Sequence, residues 1–125
     1  MIRWLDHVNV RTANLEQLAR FYTEVVGLQL GERPPLGFPG VWLYAGDRAV
    51  IHLVGTAEQP APEGPLRLEH FAFAASGLGD FVARLTQHGV SFRQSRQPGT
   101  GNVIVNLLDP DGNRLHVDFD ASEAP

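Results

Sequence analysis

The chain repeats its own pattern once, and this repeat constrains the fold more than any single motif does. Apolar, glycine and histidine positions recur at an offset of 62 to 64 residues. The matched pairs are Leu15 and Leu78, His7 and His70, Gly27 and Gly89, and His52 and His116. Self-similarity at a fixed period is typical of a supersecondary unit present more than once. The sequence therefore predicts two copies of one unit.

Each copy reads as a strand, a helix and then three strands. Period-two alternation marks the strands, and apolar spacing of 3.6 residues marks the helices. Asn14 is the candidate N-cap of the first helix, and Gly27 and Gly89 are candidate helix stops. In the first copy the strands are predicted over 2–10, 28–32, 41–45 and 49–54 and the helix over 14–26. In the second copy the strands are predicted over 67–74, 90–96, 102–108 and 113–119 and the helix over 78–88.

These elements predict an α+β fold of two βαβββ modules, residues 1–54 and 67–121, joined by a linker over 55–66. The linker is rich in Pro and Gly. The apolar strand faces must pack on the helices, so the modules are predicted to form a cupped eight-stranded mixed sheet with helices on its outer face. Residues from Asp120 onward are expected to be a frayed tail.

The closing strand shows why the polar sheet face matters. Leu115, Val117 and Phe119 alternate with Arg114, His116 and Asp118, after the turn Asp109-Pro110-Asp111-Gly112. Charged and imidazole groups are costly to bury unless they are paired or used.

Four of the five histidines occupy repeat-matched strand positions. His7 and His70 lie in the first strand of each copy, and His52 and His116 lie in the last. If the copies are related by a pseudo-twofold axis, the four imidazoles converge, and imidazole is the commonest protein ligand of divalent first-row metals. The sequence therefore predicts a divalent metal ion held by His7, His52, His70 and His116. His88 lies outside the pattern and is interpreted as a structural or surface residue.

Composition excludes several classes of function. The chain has 125 residues, a net charge of −4, ten basic residues that are all Arg, and no cysteine. This composition predicts one domain, disfavours nucleic acid and membrane surfaces as partners, and rules out thiolate chemistry. The chain opens on a strand-like run without a signal peptide or a span long enough for a bilayer, so we expect a cytoplasmic protein.

The chain resembles the vicinal oxygen chelate superfamily, which includes glyoxalase I, extradiol dioxygenases and bleomycin resistance proteins. The likeness runs from Leu5 to Phe119. The residues that carry it are Leu5-Asp6-His7-Val8, Phe21 to Leu28, Glu69-His70-Phe71-Ala72-Phe73 and Asp109 to His116. The resemblance implies a divalent metal bound by the four matched histidines. One departure stands out, because His116 occupies a position where family members usually carry Glu.

Four neutral ligands leave the charge of the metal uncompensated, which predicts a strong Lewis acid toward a small substrate with two vicinal oxygens. An octahedral ion with four protein ligands keeps two positions for such a chelate, which fits a glyoxalase-like lyase or isomerase. A ring-cleaving Fe(II) or Mn(II) dioxygenase needs three positions, and would use only His7, His70 and His116. A metal-free drug-binding protein is the third hypothesis.

Further site residues follow from strand parity. Asp118 is a candidate base or a partner that orients His116, with a salt bridge to Arg114 as the alternative. Asn9 is a second candidate catalytic residue. Arg93 and Arg96 are weaker candidates for an anionic substrate. The candidate substrate-binding residues are Asn106, Arg114, Trp42 and Tyr44, and the hairpin register decides between the last two. We also expect a homodimer, in which the modules pair within one chain or exchange between two.

Overall fold

The computed structural model describes residues 1–60 and 67–125. It divides the chain into two compact units, Met1–Pro62 and Glu63–Pro125. Each unit is a βαβββ module with its own four-stranded mixed sheet, so the predicted α+β class and module order are confirmed. Part of the predicted linker, residues 61–66, lies outside the described residues. No helix in the described part of the chain is long and apolar enough to cross a membrane.

The first unit has strand order β1-β4-β3-β2, with β1 parallel to β4 and the other pairs antiparallel. Its helix is α-helical at first and π-helical in its second half. The bounds are β1 Val8–Thr12, α1 Leu15–Arg20, a π-helical segment Phe21–Val26, β2 Gln29–Gly31, β3 Gly40–Ala45 and β4 Arg48–Gly55.

The second unit repeats this topology as β5-β8-β7-β6, with β5 parallel to β8. The bounds are β5 Phe71–Ala75, α2 Leu78–Gln87, β6 Phe92–Arg96, β7 Val103–Leu108, β8 Arg114–Phe119 and a 3-10 turn Ala121–Glu123.

One face of each sheet packs on the helix of its own unit. In the second unit Phe81 of α2 meets Phe119 of β8 edge to face, with ring centroids 5.7 Å apart. The buried side chains of the first unit include Leu18, Tyr22, Leu43, Ile51 and Leu53, and those of the second include Leu85, Val103, Val105, Leu115 and Phe119. Packing of these faces leaves the opposite face of each sheet for function.

The stretch from the first helical residue to the stop glycine is one residue longer in the first unit, and the structure shows where the extra residue goes. From Leu15 to Gly27 is twelve positions, whereas from Leu78 to Gly89 is eleven. The longer helix takes up the insertion as the π-helical turn Phe21–Val26, the usual way a helix absorbs an added residue. Gly27 then ends the helix in the left-handed region with φ 98°, as predicted.

Both first strands begin later than the alternation predicts. Strand 2–10 is observed as Val8–Thr12, and strand 67–74 as Phe71–Ala75. Val8 pairs with Ile51 and Phe71 pairs with Leu115, so the upstream residues have no ladder partner in their sheets. Trp4 instead packs its ring against the guanidinium groups of Arg3 and Arg48, at 4.4 and 4.0 Å.

The prediction of a frayed tail is wrong. Glu123 accepts hydrogen bonds at Oε1 from the backbone N–H groups of Gly77 and Leu78, both at 2.9 Å. These groups open α2, so the tail caps the helix. In the first unit Gln59 Oε1 accepts from the N–H of Ala13 at 2.9 Å, also 46 residues away. Each unit thus closes on the start of its own helix.

Candidate metal centre

In the first unit, strand register places one histidine in the middle of a polar row. His52 of β4 pairs with Asn9 of β1 on one side and with Trp42 of β3 on the other. Residues directly opposite in neighbouring strands point to the same face. Leu43 and Ile51 point to the other face, where both are buried. Asn9, His52 and Trp42 therefore share the face away from the helix.

The ring of His52 lies between two other rings. It stacks on His7 with a centroid distance of 3.8 Å and on Trp42 at 4.0 Å, both within 10° of parallel. Burial lowers the pKa of His52, and repulsion from His7 lowers it further. Both effects favour the neutral imidazole, which is the form that binds a metal.

The second unit carries an equivalent row. His116 of β8 pairs with Ala72 of β5 and with Asn106 of β7, and Asn106 pairs with Arg93 of β6. His70, just before β5, lies against His116 with ring centroids 4.5 Å apart. The first-strand and last-strand histidines therefore form one pair in each unit.

The turn before β8 fixes the start of the strand that carries His116. The Asp109 carboxylate accepts backbone N–H groups from Asp111 at 3.0 Å and Asn113 at 2.8 Å. It also accepts the Asn113 side-chain amide at 2.8 Å. Asp109 is 4% exposed, so these bonds satisfy a buried charge. The predicted turn is thus held together by Asp109, directly before the strand that carries His116.

Three of the four histidines are hydrogen-bonded to a carboxylate through Nδ1. His7 donates to Asp6 at 2.8 Å, His116 donates to Asp118 at 2.5 Å, and His70 donates to Glu69. An ionised carboxylate only accepts, so Nδ1 carries the proton in each ring. In the neutral ring the Nε2 lone pair is then left available, and Nε2 has no hydrogen-bond partner among residues 1–60 and 67–125.

The hydrogen bonds that the histidines donate also lower the pKa of two of the carboxyl groups. The bond from His7 lowers the pKa of Asp6, and the bond from His70 lowers the pKa of Glu69. Arg114 assists at Glu69, where its Nη1 donates at 3.1 Å. Both carboxyl groups are therefore held in the ionised form that orients an imidazole.

His52 is oriented in the opposite sense. Its Nε2 lies 3.1 Å from the backbone oxygen of Ala49, which can only accept. The proton is therefore on Nε2, and the lone pair is on Nδ1. A carbonyl acceptor behind a ring is also common at metal-ligating histidines, so His52 has a suitable partner of a different kind.

These residues fit a divalent metal by their chemistry. Each of the four imidazoles has one nitrogen occupied by an acceptor, and the other nitrogen presents a lone pair, as a ligand requires. The histidines come together as two pairs, and the described ranges contain no single group of three or more His, Asp or Glu side chains able to hold an ion. Each unit on its own therefore supplies two candidate ligands.

The other predicted site residues have clear positions. Asp118 bonds His116, and Arg114 pairs with Glu69, so the alternative salt bridge between Asp118 and Arg114 is not formed. Tyr44 lies over Gly31, and its hydroxyl donates to the oxygen of Glu32 at 2.6 Å. Of the two hairpin aromatics, Trp42 is therefore the one beside a histidine. His88 caps the C-terminus of α2, outside both rows.

Sequence reasoning missed two residues of the site, Asp6 and Glu69. Each immediately precedes the first histidine of its copy, at the same offset of 63 as His7 and His70. That shared position was the signal that could have found them. The carbonyl partner of His52 had no signal, because any residue supplies a backbone oxygen.

Comparison with known proteins agrees with this architecture. The chain belongs to the Glyoxalase/Bleomycin resistance protein/Dioxygenase superfamily, whose family model matches residues 4–117. It is 29% identical over 120 residues to glutathione transferase FosA of Serratia marcescens, covering 94% of this chain and 81% of that protein.

One further relative and one solved structure are less similar in sequence. The chain is 27% identical to glyoxylase I 4 of Arabidopsis thaliana, covering 90% of this chain and 68% of that protein. A glyoxalase/dioxygenase from Nostoc punctiforme superposes with a TM-score of 0.78 at 20% identity, over 94% of this chain and 91% of that one. This structural likeness concerns the fold alone.

Proposed function

We propose that this protein is a divalent-metal-dependent enzyme that acts on a small substrate with two neighbouring oxygen atoms. Its metal ligands are His7, His52, His70 and His116. The observation that carries the proposal is the oriented hydrogen bond at one nitrogen of every one of these rings. Four unrelated surface histidines would have no reason to share it.

The ion would supply a Lewis acid that polarises the substrate oxygens. The chain orients the ligands through Asp6, Glu69 and Asp118, which also place negative charge behind the imidazoles. The site is therefore less electron-poor than four isolated neutral ligands would make it. These carboxylates take the compensating role that a ligating Glu would otherwise have.

Substrate contacts are proposed from the two polar rows. Asn9 and Asn106 occupy the positions beside His52 and His116, where an amide can donate to a substrate oxygen. Trp42 walls the first row. Tyr44 contributes shape only, because its hydroxyl donates to the backbone.

The reaction we propose first is a lyase or isomerase step, because four ligands leave two positions for a chelating substrate. Such a step moves a proton, and Asp118 is the carboxylate that shares a sheet face with His116. It would serve as the base only by exchanging its hydrogen bond to His116 for one to the substrate.

Thiol transfer is a second candidate with an observation of its own. Asp6, Glu69 and Asp118 are all hydrogen-bonded to imidazoles, so proton abstraction from carbon would cost one of these bonds. Addition of an external thiol to an activated electrophile does not incur that cost, because the thiol would lose its proton to water and the oxygen released from the electrophile would take one up from water. Similarity to glutathione transferase FosA supports this reaction class.

A ring-cleaving dioxygenase remains the alternative that uses three histidines. His52 differs from the other three in its partner and in its free nitrogen. Its withdrawal would leave His7, His70 and His116, each with a carboxylate behind it. Oxygen uptake by an Fe(II)-loaded sample over a catechol panel tests this candidate.

Metal analysis of the purified chain tests the whole proposal. We expect one ion per chain, because an ion takes two histidine pairs and each chain carries two. His52→Ala should reduce the bound metal at least tenfold in competition with a chelator, and the control His88→Ala should leave it unchanged. Absence of near-stoichiometric metal would reject the proposal. Unchanged binding in His52→Ala would instead leave the three-histidine site.

A further inference from the structure

The second unit contains a cavity beside the His116 row. Its volume is about 340 Å³, and its lining includes Arg93, Asn106 and Arg114 with Ser91, Phe92 and Leu108. Two guanidinium groups and an amide are donors, and none of them is an acceptor-only group. Aromatic and aliphatic walls surround them. The cavity therefore suits an organic molecule that carries an anionic group.

Strand register places this cavity within reach of the candidate metal ligand. Arg93 pairs with Asn106, and Asn106 pairs with His116, so the three share one row and one face. Two strand spacings of roughly 4.8 Å separate the Cα atoms of Arg93 and His116 by about 10 Å. A side chain as long as Arg spans much of that distance. A group held by Arg93 would leave the rest of a small molecule beside His116.

The charge in the cavity is not balanced from within. Arg114 is paired with Glu69 at 3.1 Å, and that carboxylate also accepts from His70. Arg93 has no hydrogen bond or ion pair with another described residue. Arg96, the other arginine of β6, donates its Nε–H to the oxygen of Gly101 at 2.7 Å and is outside the lining. Arg93 is therefore the free cation of the cavity among the described residues.

We infer that Arg93 and Asn106 bind an oxyanion of the substrate, a carboxylate or a phosphoryl group. The planar guanidinium fork matches two oxygens of such a group, and the amide of Asn106 donates to one of them. This inference rests on the proposed function for the identity of the bound molecule. It adds that the substrate is anionic, and that Arg93 sets this specificity by fixing its charged end.

Titration of the full-length protein with simple anions tests the inference. Acetate and inorganic phosphate serve as probes, and acetamide is the neutral mimic of acetate. The ionic strength is held constant, so that a change in charge screening does not account for the response. The Nε–H signal of Arg93 in nitrogen-15 spectra reports binding directly. Arg93→Gln is the test variant, and Arg84→Gln, on the exposed face of α2, is the control with the same loss of charge.

We expect at least tenfold weaker anion binding in Arg93→Gln, no more than a twofold change in Arg84→Gln, and no response to acetamide. Tighter acetate than phosphate binding identifies a carboxylate, and the reverse identifies a phosphoryl group. Equal losses in both variants, or undiminished binding in Arg93→Gln, would overturn the inference.

The same titration after removal of metal with a chelator separates this inference from the proposed function. Arg93-dependent binding in a chain that takes up no metal would retain the anion site and reject the metalloenzyme. Normal metal uptake without Arg93-dependent binding would do the opposite. Metal content of Arg93→Gln should equal that of the natural sequence, because Arg93 is not a ligand.

Discussion

At the residue scale, the carboxylates behind the histidines separate this chain from a site with four neutral ligands alone. Asp118 accepts a hydrogen bond from the Nδ1–H of His116 at 2.5 Å, and this bond fixes both the tautomer and the direction of the ring. Outer partners of this kind raise the basicity of a ligating imidazole. The histidine at the position where relatives usually carry Glu thus still has a carboxylate two residues away.

Replacement of Asp118 by Asn should weaken metal binding while leaving the fold intact. Asn keeps an oxygen acceptor but loses the charge, so we expect metal affinity to fall by about 10- to 100-fold. Chelator competition measures the affinity, and nitrogen-15 shifts of the His116 ring report its tautomer. Asp47→Asn, in the exposed β3–β4 turn, makes the same chemical change elsewhere and should have no effect. Equal affinities in the two variants would show that Asp118 does not act through His116.

Trp42 should contribute by restraining the ring of His52. The indole covers one face of that imidazole at 4.0 Å, and His7 covers the other. Trp42→Leu removes the aromatic contact but keeps apolar volume. We therefore expect several-fold weaker metal binding and broader His52 ring signals. Tyr44→Phe, which removes only a hydroxyl bonded to the backbone, is the comparison and should bind metal normally.

The repeat predicted which histidines matter, because identical offsets in two copies are visible in one sequence. It did not predict their tautomers, since these depend on acceptors such as the Ala49 oxygen that no residue type encodes. The choice between Trp42 and Tyr44 also needed coordinates. The register shifts between Leu43 and Tyr44, and a shift of this kind has no reliable sequence signature.

At the scale of elements, each helix begins with help from the far end of its unit. Gly77 has no side chain, so α2 has no cap of its own, and Glu123 supplies the acceptor. A carboxylate there also interacts favourably with the helix dipole. Sequence reasoning treated the tail as frayed because caps within a helix are local signals, whereas this one comes from 46 residues away.

Loss of either of these distant hydrogen-bond acceptors should destabilise the protein without changing its function. Glu123→Ala removes the acceptor of two backbone N–H groups at the start of α2, and Gln59→Ala removes the acceptor of the Ala13 N–H just before α1. We expect each change to cost about 1 kcal/mol of unfolding free energy. Urea denaturation would show a lower midpoint with an unchanged slope. Gln97→Ala, at an exposed position whose side chain makes no hydrogen bond to a described residue, is the control. Midpoints equal to that of the control would refute the capping role.

At the scale of the whole molecule, the order of elements in both modules followed from pattern alone. Strand and helix periods, repeated once, predicted two βαβββ modules, and the structure has both with identical strand order. The predicted starts of the first strand in each module were too early, because the alternation begins upstream of the first residue that finds a ladder partner. Trp4 alternates correctly yet packs on arginines.

We expect a homodimer, because it would cover the edge strands of the two sheets and the apolar segments that precede them. β1 and β5 are edge strands of their sheets, and the segments before them expose Leu5 and Leu68, at 78% and 67%. Natural proteins cover open apolar edges. Light scattering on a size-exclusion column should give twice the 13.7 kDa chain mass, and Leu5→Glu should shift the population toward the monomer. A natural chain that is monomeric at micromolar concentration would contradict this expectation.

The bond between Gln59 and Ala13 also has a consequence for synthesis on the ribosome. Every hydrogen bond described for the first unit, including the one that closes it, joins residues that precede position 60. The hydrogen bonds of the amino-terminal module can therefore form once these residues have emerged, before the second module is available to compete for its strands. A chain made of two near-identical patterns is exposed to mispairing between them, and this order of closure is a built-in protection.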